Sequence, residues 1–180
     1  MSRFLTFPSF PSVVLLSALA LAACSPTFNW REVRPEGSSL SLLLPCKPDK
    51  AEKIVPLGGR PTTLSMLGCD AEGATFAVAM ADVGDPSRAA PVLALWQDLT
   101  LANMKAAPDS RQPLPLKIPG ASPGTPATRL QATGQRADGA VVSGQAAYFA
   151  KGSQLFQVVM YAPHITPEVA ETFFSSLKLE

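Results

Sequence analysis

Apolar side chains recur along the chain with two periods, and each switch between them marks a new element. Residues 39–44 begin in strict alternation, Ser-Leu-Ser-Leu, and stop at Pro45, which predicts a first strand. Residues 47–53 are polar and read as a turn. Residues 54–57 and 63–69 predict two more strands, separated by the turn signal Gly58-Gly59-Arg60-Pro61. Residues 74–81 then set Phe76, Val78 and Met80 on one face against alanines on the other. A strand apolar on both faces belongs inside a sheet, and its alanine face would let a helix come close.

From Ser87 onward the period lengthens. Val92, Leu95, Trp96 and Leu99 fall at i, i+3, i+4 and i+7, the stripe of an amphipathic helix over residues 87–107, with Ser87 as its cap and Pro91 confined to its first turn. The prolines of residues 108–126 cannot continue that helix. This stretch is expected to be a long loop with a short extended piece at 114–118. Residues 128–134 alternate Arg129, Gln131 and Thr133 with Leu130 and Ala132, the pattern of a strand with one exposed face. Residues 139–150 and 154–162 are joined by Lys151-Gly152-Ser153, a hairpin connection, and the second of them is apolar on both faces and so expected to be central. Thr166 caps a closing helix with Pro167 in its first position and Val169, Ala170, Phe173, Phe174 and Leu177 as its buried stripe.

Strands in hairpins, a helix, more strands and a terminal helix predict an α+β sandwich, a mostly antiparallel sheet packed with one long helix and a C-terminal helix. The order of elements over residues 38–180 resembles the PsbP-like fold, including LpqN-type lipoproteins. The resemblance implies a single domain across that range, with an opening hairpin, a long helix after the early strands and a Phe-rich helix at the end.

Ahead of this domain the pattern differs in kind. Arg3 is followed by an uncharged apolar run over residues 13–23, shorter than the roughly 20 residues a bilayer span needs. A cationic start, a short apolar stretch and small residues before a cut describe a secretory signal peptide over residues 1–23. Leu21-Ala22-Ala23-Cys24 resembles the lipobox of bacterial lipoproteins. That resemblance implies cleavage before Cys24, a diacylglyceryl thioether on its sulfur and acylation of the new amino group. Two or three fatty chains give a stable anchor where one is marginal, at about 0.8 kcal/mol per buried CH₂. Ser25 after the cysteine implies, on the same resemblance, transport to the outer membrane. The alternative is an ordinary signal peptide with Cys24 an incidental thiol.

Residues 24–37 are short of aliphatic side chains and mix charges, which reads as a lipidated tether. Trp30 within it either sits near the lipid headgroups or folds back on the domain. The segments TFNWREVRP, LLPCKPD, CDAEGATFAVAMADV and GSQLFQVVMYAP resemble a family of small proteobacterial lipoproteins that brings no assigned activity.

Cys46 and Cys69 remain once Cys24 takes its lipid. An even pair in the oxidising space beyond the inner membrane reads as a disulfide. It would close a loop of about 24 residues and stabilise the fold by roughly 3 kcal/mol in the chain-entropy model. Two buried free thiols are the alternative. The family resemblance implies that both cysteines belong to its pattern. Together with the single histidine, His164, they lack the close spacing of a zinc site, so no metal or cofactor is expected. The whole chain carries 15 Lys and Arg against 14 Asp and Glu, and loss of a leader whose one charge is Arg3 leaves the two signs balanced. Balance argues against a nucleic-acid partner, which needs a cationic face, and gives no support to a polybasic membrane patch.

The sequence carries no phosphate-binding glycine loop and no His-Glu-x-x-His. His164 reads as a surface-loop histidine, because a general base needs a nucleophile and an orienting carboxylate beside it. The acidic pairs Asp70 with Glu72, Asp82 with Asp85, and Glu168 with Glu171 fall in turns or on an exposed helical face, where carboxylates are solvated. Asp82 and Asp85 are expected to shape a turn and cap a helix. Trp96 is expected in the core, and Tyr148 and Tyr161 on strands that pair.

The leading expectation is a non-enzymatic, periplasm-facing outer-membrane lipoprotein. Its partners would be the membrane, through the lipid on Cys24, and another envelope component. The alternative is a carrier or sensor of a small apolar ligand, held between the sheet and the long helix with the proline-rich loop as a flap. Alanines on the facing elements weigh against that alternative, since small residues favour close packing. A hydrolase using His164 comes third.

Overall fold

The structure, a computed structural model, describes residues 28–180. The expected signal peptide, Cys24 and residues 25–27 of the expected tether lie outside the described residues. Within them the chain runs β1 (Arg31–Val33), β2 (Leu40–Leu44), β3 (Asp49–Leu57), β4 (Arg60–Ala71), β5 (Ala74–Asp82), α1 (Ala89–Asn103) and β6 (Gln112–Leu114). It continues through β7 (Thr128–Gln135), β8 (Val141–Lys151), β9 (Gln154–Ala162), α2 (Pro167–Ser175) and β10 (Lys178–Leu179). One sheet has seven strands in the order β3-β4-β5-β9-β8-β7-β6, the other three in the order β1-β2-β10. Every pairing is antiparallel. This is the α+β sandwich that the order of elements predicts.

The central strands explain the layering. In β5 and β9, Phe76, Val78, Phe156, Val158 and Met160 point to one face and join the leucines of β2 and the Phe173 and Phe174 of α2. Phe76 meets Phe173 edge-on at 5.2 Å, and Phe149 stacks on Phe156 at 5.0 Å. On the other face Ala79, Ala81, Ala146 and Ala150 receive α1 through Ala89, Val92, Leu93 and Trp96. The seven-stranded sheet is thus a middle layer with α1 on one side and the small sheet with α2 on the other. No helix among the described residues is long and apolar enough to cross a membrane.

Three expectations are corrected. Residues 28–37 are not a free tether: Arg31–Val33 pair with β2, while Phe28, Trp30 and Val33 pack against the core. Trp30 folds back to meet Phe76 edge-on at 5.9 Å, because burying an aromatic ring outweighs leaving it on a free segment. Residues 49–53, expected as a turn, extend β3, an edge strand whose exposed Lys and Glu hide the alternation that a half-buried strand would show. Arg129, expected on an exposed face, is only 8 % accessible, with its guanidinium 4.1 Å over the ring of Phe174 and donating to Gln145 Oε1 at 2.7 Å.

The long helix also starts later and rolls. Asp85, not Ser87, supplies the capping oxygen, accepting from Ser87 N in a 3-10 turn over Pro86–Arg88. The buried stripe is Ala89, Val92, Leu93, Trp96, Gln97 and Thr100, leaving Leu95 and Leu99 at 40 % and 42 % exposure. The short extended piece of the proline-rich stretch is Gln112–Leu114, earlier than expected. Thr166 caps α2 as expected, accepting from Val169 N at 3.4 Å.

Cys46, just past β2, is bonded to Cys69 in β4, with their Cα atoms 6.0 Å apart. The bridge therefore ties the small sheet to the large one.

Candidate functional site

The helix α1 is fastened at both ends and leaves a space along one flank. At its start, Arg88 donates to the carbonyls of Val83 (3.1 Å) and Gly58 (3.0 Å), which pins the β3–β4 turn to the helix. Gly58 has φ +61°, and a Cβ there would lie 2.6 Å from Val92 Cγ2, so glycine is what permits this approach. At its end, the Met104 carbonyl accepts from Gln135 N at 2.7 Å. Between the two fastenings the β3–β4 hairpin and the helix stand apart.

The space is an open groove of about 640 Å³. Its floor is Leu64, Thr75, Gln157 and Tyr161; the helix wall is Trp96, Leu99, Thr100 and Asn103; and the opposite wall is Val55 and Leu57. Gln135, Arg136 and Ala137 of the β7–β8 hairpin close one end together with Val142. Strand register orders these groups. Thr75 lies opposite Tyr161, and eight residues further along β4 from Asp70, the partner of Thr75, Thr62 faces Val55. At the usual rise per residue this is about 26 Å. One end of the groove is thus polar, with Tyr161, Asn103, Gln135 and Arg136, and the other apolar, with Val55, Leu57, Leu64 and Trp96.

The polar groups of the floor have physical causes. Gln157 interrupts the apolar face of a central strand, and its amide donates to Thr100 Oγ1 at 2.7 Å and to the Tyr148 hydroxyl at 3.1 Å. Burial holds the Tyr148 hydroxyl above its ordinary pKa, opposed by its hydrogen bonds to Thr100 and Gln157. Burial likewise raises Tyr161 far above its ordinary value, with the neighbouring Tyr148 adding to the shift. Both rings are neutral hydrogen-bonding groups at physiological pH. Thr75 donates to Asp70 at 2.6 Å, and Asp70 does not line the groove.

The sequence-derived candidates fall elsewhere. His164 is exposed in the loop before α2. Asp70 and Glu72 are exposed around the β4–β5 turn, and Asp82 accepts from Gly84 N at 2.8 Å to shape its turn. Among the described residues no three His, Cys, Asp or Glu side chains are grouped to hold a metal ion. Trp96 is buried as expected yet also forms part of the groove wall. Tyr148 and Tyr161 lie on paired strands, though opposite Gln157 and Gly144 and not opposite each other. The proline-rich stretch is no flap: Leu116, Ile118 and Ala121 pack into the core on the far face of the sheet. Gln157 is the legible signal for the groove, since a part-buried amide in a central strand draws hydrogen-bond partners from the layer above it.

No family model matches the chain, and no curated protein matches it. The solved structures to which the chain is similar include two with low scores. One, from Bacteroides thetaiotaomicron VPI-5482, has a TM-score of 0.44 and 15% identity, covering 79% of this chain and 45% of that one. The chain therefore spans under half the length of that protein. The other, a Pseudomonas aeruginosa protein of unknown function, has a TM-score of 0.34 and 14% identity, covering 78% of this chain and 85% of that one.

Proposed function

We propose that the chain is a lipoprotein of the bacterial envelope, held on the outer membrane through Cys24 and facing the periplasm, whose domain acts by binding and not by catalysis. The groove between α1 and the sheet carries the binding reading. It has the size, the mostly apolar walls and the few oriented polar groups of a small-molecule site. Its walls sit on a helix fastened at both ends, and a rigid scaffold is what a selective binding site requires. The ligand class this favours is a small, largely apolar molecule.

The anchoring reading rests on Leu21-Ala22-Ala23-Cys24 and agrees with the Cys46–Cys69 bridge, since disulfides persist in oxidising compartments. Labelled palmitate supplied to growing cells tests it. Incorporation into the wild-type chain and none into Cys24→Ala is expected, and label retained by the variant would remove the anchor. Native mass spectrometry of the protein released from membranes tests the binding reading, with a co-purifying small molecule expected.

A second reading, contact with another envelope protein, is favoured by the free edge of β3. There Ile54 stands 70 % exposed beside a strand edge that is unpaired among the described residues and that a partner strand could extend. Cross-linking from a photoreactive residue at position 54 in intact cells tests it, and the absence of any adduct would count against it.

A further inference from the structure

The groove is asymmetric in charge as well as in polarity. Arg136 is the only charged side chain among the residues that line it. No carboxylate lies within salt-bridge distance of Arg136 among the described residues. Its backbone, by contrast, is fixed: Arg136 N donates to the Ala140 carbonyl at 2.9 Å, and Gly139 N returns to the Arg136 carbonyl at 3.0 Å. A tight turn thus places Arg136, an exposed residue whose side chain carries five donors, at the polar end of an otherwise uncharged channel. Asn103 and Gln135 stand at the same end with further amide donors.

We infer that the groove takes a single-chain anionic amphiphile, with its carboxylate or phosphate against Arg136 and its acyl chain laid toward Leu64, Leu57 and Trp96. This deepens the binding reading above and rests on it. Length and charge both select the class. A single acyl chain reaches about half of a bilayer's roughly 30 Å hydrocarbon core, about 15 Å, which leaves room for a head group within the groove's span of about 26 Å. An anion is favoured over a neutral head because arginine pairs with carboxylate and phosphate through parallel charge-assisted hydrogen bonds. A cationic head would meet Arg136 as a like charge. Two-chain lipids are disfavoured by the single channel.

The test is photo-cross-linking of the full chain in its own membranes, with a dodecanoate bearing a diazirine at the chain end and a dodecyl maltoside labelled at the same place. Peptide mass spectrometry reads the adducts. Both probes are expected to label residues around Leu57, Leu64 and Trp96. Arg136→Gln is expected to lower dodecanoate labelling about tenfold or more while leaving dodecyl maltoside labelling unchanged. A lysophosphatidic acid probe of the same chain separates phosphate from carboxylate heads, and equal dependence on Arg136 supports the shared anionic chemistry. Groove labelling by dodecanoate that ignores Arg136→Gln overturns the anionic inference and leaves the binding reading in place. Absence of groove labelling by every probe overturns the binding reading, and this inference with it.

Discussion

The carbonyl oxygen of Met104 accepts from the backbone N–H of Gln135 at 2.7 Å, across a place where Gly134 presents no side chain. A Cβ on Gly134 would fall inside contact distance of that carbonyl, and the Met104 side chain already packs over Gly144, where a Cβ would lie 2.6 Å from Met104 Cε. The end of α1 is held against the sheet by two glycines.

Gly134→Ala is therefore expected to destabilise the domain by about 1–3 kcal/mol, because backbone and not a flexible side chain must move. The urea midpoint measures this. Gly139→Ala serves as a control, since nothing lies within 4 Å of a Cβ there, and its loss should reflect only its φ of +84°.

Reduction of the Cys46–Cys69 bond, or the Cys46→Ser, Cys69→Ser double substitution, is expected to cost roughly 3 kcal/mol for a closed loop of this length. Denaturant titration with and without reductant checks the value. The double variant should show no response to reductant.

Arg129 predicts an asymmetry between its partners. Arg129→Met leaves the buried Gln145 oxygen without its donor and removes the cation over Phe174, so a loss of about 2–3 kcal/mol is expected. Glu171, 3.6 Å away but 72 % exposed, pairs with the same arginine in solvent. Glu171→Gln should change stability by under about 0.5 kcal/mol.

Alkaline titration reads the buried tyrosines. Both hydroxyls are raised above the ordinary value of 10.0, so the folded chain keeps their protons at pH values where the unfolded chain releases them. Their stabilising contribution is complete below about pH 10 and is lost as pH rises toward the folded values, at up to about 1.4 kcal/mol per tyrosine per pH unit. Urea midpoints from pH 8 to pH 11.5 should fall above pH 10, and fall less steeply in Tyr161→Phe.

The strands that the sequence makes legible are those whose neighbours leave them no choice. Residues of β5 and β9 are apolar on both faces because α1 covers one and α2 with the small sheet the other. Residues 49–53 escaped because an edge strand is solvated on both faces and its pairing partner, β4, supplies what its own composition does not. Arg129 escaped for the opposite reason: a long polar side chain on an alternating strand reads as exposed until an aromatic ring and an amide acceptor arrive from elsewhere in the chain. The groove draws its walls from strands, a helix and a hairpin far apart in sequence. Its helix wall appeared in the sequence as the stripe Val92, Leu95, Trp96 and Leu99, and the roll of α1 turned Leu99 from core to lining. Arg136 sits in a turn, where a charge attracts no notice without its surroundings.

The docked beginning of the domain has a mechanical consequence. Asn29 N donates to the Pro45 carbonyl at 3.0 Å, β1 pairs with β2, and Arg34 grips Glu180 through two bonds of 2.5 and 2.9 Å. A pull arriving from the amino-terminal side is met first by this lattice and by the Cys46–Cys69 bond beside it. These fastenings lie on the face of the large sheet opposite α1. Load from that side falls on the small sheet, on the opposite side of the large sheet from the walls of the groove.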